Sequence, residues 1–166
     1  MLFVMRLLIF LVNVMPDVRL MVGVDSEAVF DFLLRINNDF IPPLSDIVNI
    51  KNYATKLIEK SKIFASFDNG KLIALCGVYA TDTVNNSAFV SILAVDENYR
   101  GLGLGIKLMN VMECELTRKK IVKIRLEVFK SNTNAIFMYK KLGYVVERET
   151  DGSFFLCKNL ENNIIK

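Results

Sequence analysis

Val95 to Lys107 reads Val-Asp-Glu-Asn-Tyr-Arg-Gly-Leu-Gly-Leu-Gly-Ile-Lys, an apolar strand that passes through a glycine-rich turn into a helix. A helix start carries N–H groups with no partner inside the helix, and its aligned dipoles favour an anion. Gly101, Gly103 and Gly105 let the backbone approach a ligand closely, while Arg100 adds positive charge. The chemistry this pattern suits is the gripping of phosphate. A dinucleotide-binding turn is the rival reading. It wants an acidic residue about 20 positions further on after a second strand, and Glu127 is out of register for that. A tight turn with no ligand is the bland alternative. Histidine is absent, which closes every His-based triad, His base and His metal ligand; no metal site is expected.

The elements that must position these residues follow from periodicity. A first strand is expected at residues 7–14 in an apolar opening stretch too short for a membrane span and without a small-residue cleavage site. Asp25 or Ser26 can cap a helix to about Arg35, with Val29, Phe32, Leu33 and Ile36 at helical spacing. Pro42-Pro43 interrupts, and a second helix is expected from Ile47 to Ser61. The period then changes. Ile63 to Phe67, the turn Asp68-Asn-Gly70 and Lys71 to Ala80 form a hairpin, and Ser87 to Val95 a further strand. Leu104, Leu108, Val111 and Met112 mark a helix closed by Arg118, Lys119 and Lys120. A strand at Val122–Phe129 and a helix at Asn132–Leu142 come next, the helix stopped by Gly143. Tyr144–Glu147 and Phe154–Asn159 close the chain around a turn at Asp151-Gly152. An α/β (α+β) fold follows: one mixed central sheet of about seven strands with helices on both faces.

The bulk numbers agree with one domain over residues 1–166. Apolar residues make up 52% and charged residues 23%, which excludes a disordered chain. A net charge of +3 is too small to argue for nucleic acid, and no basic stripe interleaves with aromatics. Neither a nucleic acid nor a membrane is expected as a partner. Cys76, Cys114 and Cys157 are widely separated and form no disulfide framework, which points to a reducing, cytoplasmic setting.

At Arg100, Gly103 and Gly105 the chain resembles the phosphate-binding signature Arg/Gln-x-x-Gly-x-Gly/Ala of the GNAT superfamily of acetyl-CoA-dependent N-acyltransferases. Asn132, Ala135, Tyr139 and the Lys141-Leu-Gly-Tyr144 ending match the second family signature, and Leu126-Glu-Val128 matches the strand before it. The resemblance runs from about Ile63 to Leu156. It implies coenzyme A as cofactor, carried as acetyl-CoA, with its pyrophosphate on the backbone of Arg100, Gly101, Leu102, Gly103, Leu104 and Gly105. It also implies that the pantetheine arm lies in a gap beside the fourth strand, paired with backbone atoms of Leu93, Ala94 and Val95. An N–H there would stabilise negative charge on the thioester oxygen. Tyr139 is implied as the general acid for the departing thiolate. Asn132, a helix N-cap in its own right, and the small Ala135 are implied neighbours of the arm.

The expected activity is transfer of an acetyl group to a primary amine of a small molecule or peptide. The alternative is a cofactor-binding regulatory or non-catalytic protein of the same fold. No base follows from the sequence, because Ser87–Val95 lacks the carboxylate many relatives carry there. A carboxylate such as Glu127, a water chain or solvent remain open. Asp39, Asp46, Glu147, Glu149 and Asp151 are candidates to attract an amine, and Phe40, Tyr79 and Phe154 to line its cleft. A homodimer is expected by analogy alone.

Overall fold

A computed structural model of the chain describes residues 18–21, 24–82 and 84–160. The strand expected at 7–14 lies outside them. Within them, Val18–Met21 forms β1, which pairs antiparallel with β2, Lys62–Asp68. Nothing in the sequence announces β1, since four residues are too few for an alternating pattern to declare itself.

Helix α1, Ser26–Arg35, starts as expected: the Asp25 side chain accepts from the Glu27 N–H at 3.1 Å. The single helix expected from Ile47 to Ser61 is two. A short turn, α2 at Leu44–Ile47, is followed by α3 at Ile50–Lys60. Asn49 makes the break, because its backbone is extended while its side chain accepts from the Asn52 N–H at 3.0 Å and so starts a new helix. The hairpin from β2 to β3, Lys71–Asp82, turns at Asn69 and Gly70, with φ of 48° and 78°. Both signs are positive, as a two-residue hairpin of this twist requires.

Strand β4, Ser87–Val95, leads into α4, Leu104–Arg118, then β5, Lys123–Phe129, and α5, Thr133–Lys141. Gly143, with φ of 88°, ends α5 before β6, Val145–Glu149, and β7, Ser153–Asn159. Among the described residues the sheet order is β1-β2-β3-β4-β5-β7-β6, seven strands, six of them at the segments expected and β1 at one that was not. Every neighbouring pair is antiparallel except β4 with β5.

Two apolar layers hold this sheet, one on each face. On one side α1 and α3 press Phe32, Leu33 and Leu57 onto Ile63, Leu75 and Ile92. On the other, α4 and α5 bring Leu108, Met112 and Tyr139 against Phe64, Cys76, Val90 and Leu126. A Cβ at Gly77 would lie 2.9 Å from a Leu57 methyl and 3.1 Å from an Ile92 methyl, so α3 sits where only glycine leaves room. The three cysteines are unpaired, and no helix of the described residues is long and apolar enough to cross a membrane.

Candidate active site

The site begins where β4 and β5 part. Parallel pairing runs only from Ser87↔Lys123 to Val90↔Leu126, although β4 continues to Val95 and β5 to Phe129. On its other edge β4 has a bulge. The register with β3 moves from Gly77↔Ile92 to Val78↔Val90, which leaves Ser91 without a partner there. An extra residue bends and twists its strand, and here the bend turns β4 away from β5. Leu93, Ala94 and Val95 keep their partners Cys76, Leu75 and Ala74 on β3 and have none on β5. The gap implied for the pantetheine arm is therefore a feature of the fold.

The glycine turn closes the wide end of this gap. Asp96 starts it: its N–H donates to the Ile73 carbonyl at 2.9 Å and its side chain accepts from the Asn98 N–H at 3.2 Å. Burial works against the Asp96 carboxylate, but the Asn98 hydrogen bonds and Lys71, 3.3 Å away, outweigh it and hold its pKa below the ordinary value. The Tyr99 hydroxyl donates to Asp68 at 2.6 Å and ties the turn to the β2–β3 hairpin. Gly101 and Gly103 both have φ of 76°, and a Cβ at either would meet nothing within 4 Å. From Gly101 to Ile106 no backbone N–H finds an acceptor among the described residues; the first to do so is Lys107, bonded to the Gly103 carbonyl at 3.0 Å. This open cradle of amides at a positive helix end fits a diphosphate.

Arg100 departs from its expected part in two ways. Its N–H is used inside the turn, bonded to the Glu97 carbonyl at 3.3 Å, so the free run begins at Gly101. Its side chain bends back to β4: Nε donates to the Val95 carbonyl at 3.0 Å and the guanidinium pairs with Asp39. The strand end and the Asp39 carboxylate thus hold the charge that the sequence assigns to phosphate, and they occupy one of the carbonyls expected for the cofactor arm.

Helix α5 supplies the third wall. A Cβ on Gly105 would touch Met138 Sδ at 3.4 Å and Leu93 and Val95 at 4.0 Å, so the first turn of α4, the open edge of β4 and α5 converge on one point. Asn132 caps α5 by accepting the Ala135 N–H at 3.1 Å, as its sequence position foretells. Ala135 packs against the core from the same helix. Tyr139, next to Met138, is 6% exposed, and its ring meets Tyr144 edge-on at 5.8 Å. Burial and the nearby Cys76 raise its pKa, so the phenol stays protonated. Its hydroxyl has no hydrogen-bond partner among the described residues, yet it is not one of the sealed polar atoms.

Opposite these groups, on the α1/α3 face, lies a set of hydroxyls of which the sequence singles out only Tyr79, as a cleft aromatic. The Tyr53 hydroxyl of α3 donates to the Ser91 carbonyl at 3.2 Å and lies 3.3 Å from Ser91 Oγ. The Tyr79 hydroxyl is buried near Ser91 and has no well-formed hydrogen bond among the described residues. Tyr53 reads in sequence as one more apolar position of α3. Only the bulge, which has no local signature, brings Ser91 to it. On β5 Glu127 is exposed and alternates with the buried Leu126 and Val128, so it faces away from Tyr139.

The acids expected to attract an amine are mostly engaged. Asp39 holds Arg100, Glu147 holds Lys123 and Arg125, and Glu149 holds Lys130. Of the expected cleft aromatics, Phe40 joins the α1/α3 layer and Phe154 the α4/α5 layer, which leaves Tyr79 beside the bulge between β3 and β4. A cavity of about 640 Å³ lies elsewhere, lined by Glu113, Cys114, Cys157 and Lys158, and shares no residue with the gap or the glycine turn.

Comparisons with known proteins bear on the fold and the family. The Acetyltransferase (GNAT) family matches residues 29–144. A ribosomal protein bS18-alanine N-acetyltransferase of Escherichia coli strain K12 is 33% identical over 94 residues, 57% of this chain and 62% of that protein. A spermine/spermidine N(1)-acetyltransferase of Bacillus subtilis is 31% identical over 74 residues, 44% of this chain and 49% of that one. The chain therefore spans less than two thirds of these curated relatives. Among solved structures, the Escherichia coli ribosomal-protein-S18-alanine N-acetyltransferase superposes with a TM-score of 0.71 at 25% identity, covering 89% of this chain and 95% of that one. The PaiA N-acetyltransferase of Thermoplasma acidophilum in complex with coenzyme A shares the fold, with a TM-score of 0.66 at 16% identity over 86% of this chain and 99% of that one.

Proposed function

The chain belongs to the Acetyltransferase (GNAT) family, and from that premise we propose that it moves an acetyl group from acetyl-CoA to a primary amine of a small molecule or a peptide. The observation that carries this reading is the run of partnerless N–H groups from Gly101 to Ile106 at the mouth of the gap between β4 and β5. When bound, acetyl-CoA supplies an activated acetyl thioester. The amides of Gly101, Leu102, Gly103, Leu104 and Gly105 hold its diphosphate. The free edge of β4 at Leu93, Ala94 and Val95 pairs with its arm, and an N–H of that edge takes the charge that develops on oxygen. Arg100 must let go of Val95 to serve this edge, and is then free to reach the phosphates. Asn132 and Ala135 line the path.

Tyr139 donates its proton to the departing sulfur. The buried surroundings that raise the phenol pKa also disfavour a thiolate beside it, so transfer from oxygen to sulfur stays feasible. Glu127, the single carboxylate in the open halves of β4 and β5, receives the amine's proton at the gap's solvent side. With the nearby acids already paired and Lys56 lying 6.0 Å from the Tyr79 ring centre, the cleft suits a single amine better than a polycation. Free thiols support a reducing compartment, the cytoplasm.

The test mixes the protein with acetyl-CoA and a panel comprising an alanyl peptide, spermidine and simple primary amines, and follows release of free thiol. Turnover with at least one amine is expected, and Tyr139→Phe should lower kcat by about 100-fold with coenzyme A affinity unchanged. Tight coenzyme A binding without turnover would favour the non-catalytic reading.

A further inference from the structure

We propose that the hydroxyls of Tyr53, Ser91 and Tyr79 form the seat for the acceptor's nitrogen; the inference rests on the acetyl-transfer reading above. Ser91 stands at the closed end of the gap, one residue past the last pairing of β4 with β5. The bulge also removes it from the β3 register, so its backbone is released on both sides at once. With the diphosphate held at the glycine turn and the arm running back along Val95, Ala94 and Leu93, the reactive end of the cofactor is directed toward this residue.

The three hydroxyls crowd there from different elements. Tyr53 is anchored to Ser91 by contacts of 3.2 and 3.3 Å, and Tyr79, next to the β3 residue where the bulge shifts the register, buries its hydroxyl near the same serine. A buried phenol oxygen is seldom left without a partner, and this one keeps unused acceptor capacity beside Ser91. Each hydroxyl offers two acceptor lone pairs, which suits the N–H groups of a neutral amine. Lys56 sits over the Tyr79 ring and no carboxylate joins the cluster, so an ammonium gains nothing there while the uncharged, nucleophilic amine does. The seat is on the α3 face, and Tyr139 is on the α5 face. Attack and leaving-group protonation are thereby kept on opposite sides of the sheet.

The experiment compares Tyr53→Phe, Ser91→Ala and Tyr79→Phe, which delete the oxygens and keep the rings, using the same amine panel. Two readouts are taken: the KM for the amine, and calorimetric affinity of the amine for protein saturated with coenzyme A. Each variant should weaken the amine about 3- to 10-fold in both, while coenzyme A affinity stays at the wild-type value. Unchanged amine KM and affinity in all three variants would overturn the seat, as would a matching loss of coenzyme A affinity. If the wild type turns over no amine, the transfer reading fails by itself. The calorimetric arm then decides the seat: amine binding weakened by the variants supports it, and no amine binding rejects it.

Discussion

Two glycine turns in this protein share a backbone and differ in consequence. Gly70 closes the β2–β3 hairpin with φ of 78°, and Gly103 leads into α4 with φ of 76°; a Cβ at either would meet nothing within 4 Å. After Gly70 the chain rejoins the ladder at once, through Asp68↔Lys71. After Gly103 it enters a helix whose first N–H groups have no acceptor among the described residues. Glycine thus marks a tight conformation in both places, and only the segment after the glycine decides whether the turn can bind anything. The same contrast recurs within β4. Ser87 to Val90 spend their backbone groups on two neighbours, whereas Leu93 to Val95 spend theirs on β3 alone.

The sharpest way to break this comparison is to place valine at each turn. Gly70→Val and Gly103→Val should each lose stability by about 1–2 kcal/mol from the left-handed backbone, seen as similar drops in Tm. Coenzyme A affinity, read by calorimetry, should fall at least about 100-fold for Gly103→Val alone, because its side chain fills the phosphate space. Loss at both turns, or retention at Gly103→Val, would end the cradle reading.

A smaller effect concerns the anchor of the binding turn. Asp96 has its pKa lowered in the fold, so the stability it contributes is complete above its unfolded value, about 3.9, and is lost as the pH falls through its lower folded value. Urea unfolding across that range should show the acid-side decline in wild type and a shallower one in Asp96→Asn. Smaller still is the change from Asp39→Asn, which frees Arg100. An exposed pair of this kind is worth up to about 1 kcal/mol, so coenzyme A should bind up to about fivefold more tightly. Weaker binding would show instead that Asp39 helps to hold the turn. The smallest effect is expected from Gly105→Ala. Its φ is not positive and the added methyl would be in ordinary contact with Met138, so affinity should stay within about threefold and helix propensity should offset any strain.

Much of the fold is legible in the residues themselves. Asn69-Gly70, the Asp25 and Asn132 caps and Gly143 act through their own or adjacent backbone, and each does what its sequence position foretells. The exceptions have local causes too: Asn49 restarts a helix that periodicity alone runs straight through, and β1 is too short to show a period. Site residues divide along the same line. The glycine turn and Tyr139 stand in contiguous motifs, whereas Tyr53, Ser91 and Tyr79 come from three elements with no shared pattern.

By itself, then, the sequence determined where the chain turns and which helix start could grip an anion, because these depend on neighbours a few residues apart; Tyr139 stood out only through the resemblance of its motif. Only the tertiary structure decided that β4 leaves β5 after Val90, that Arg100 folds back onto Val95 and Asp39, and that three hydroxyls meet at the bulge. Those outcomes depend on which distant strands and helices compete for the same backbone groups and the same space, and that competition has no period to read.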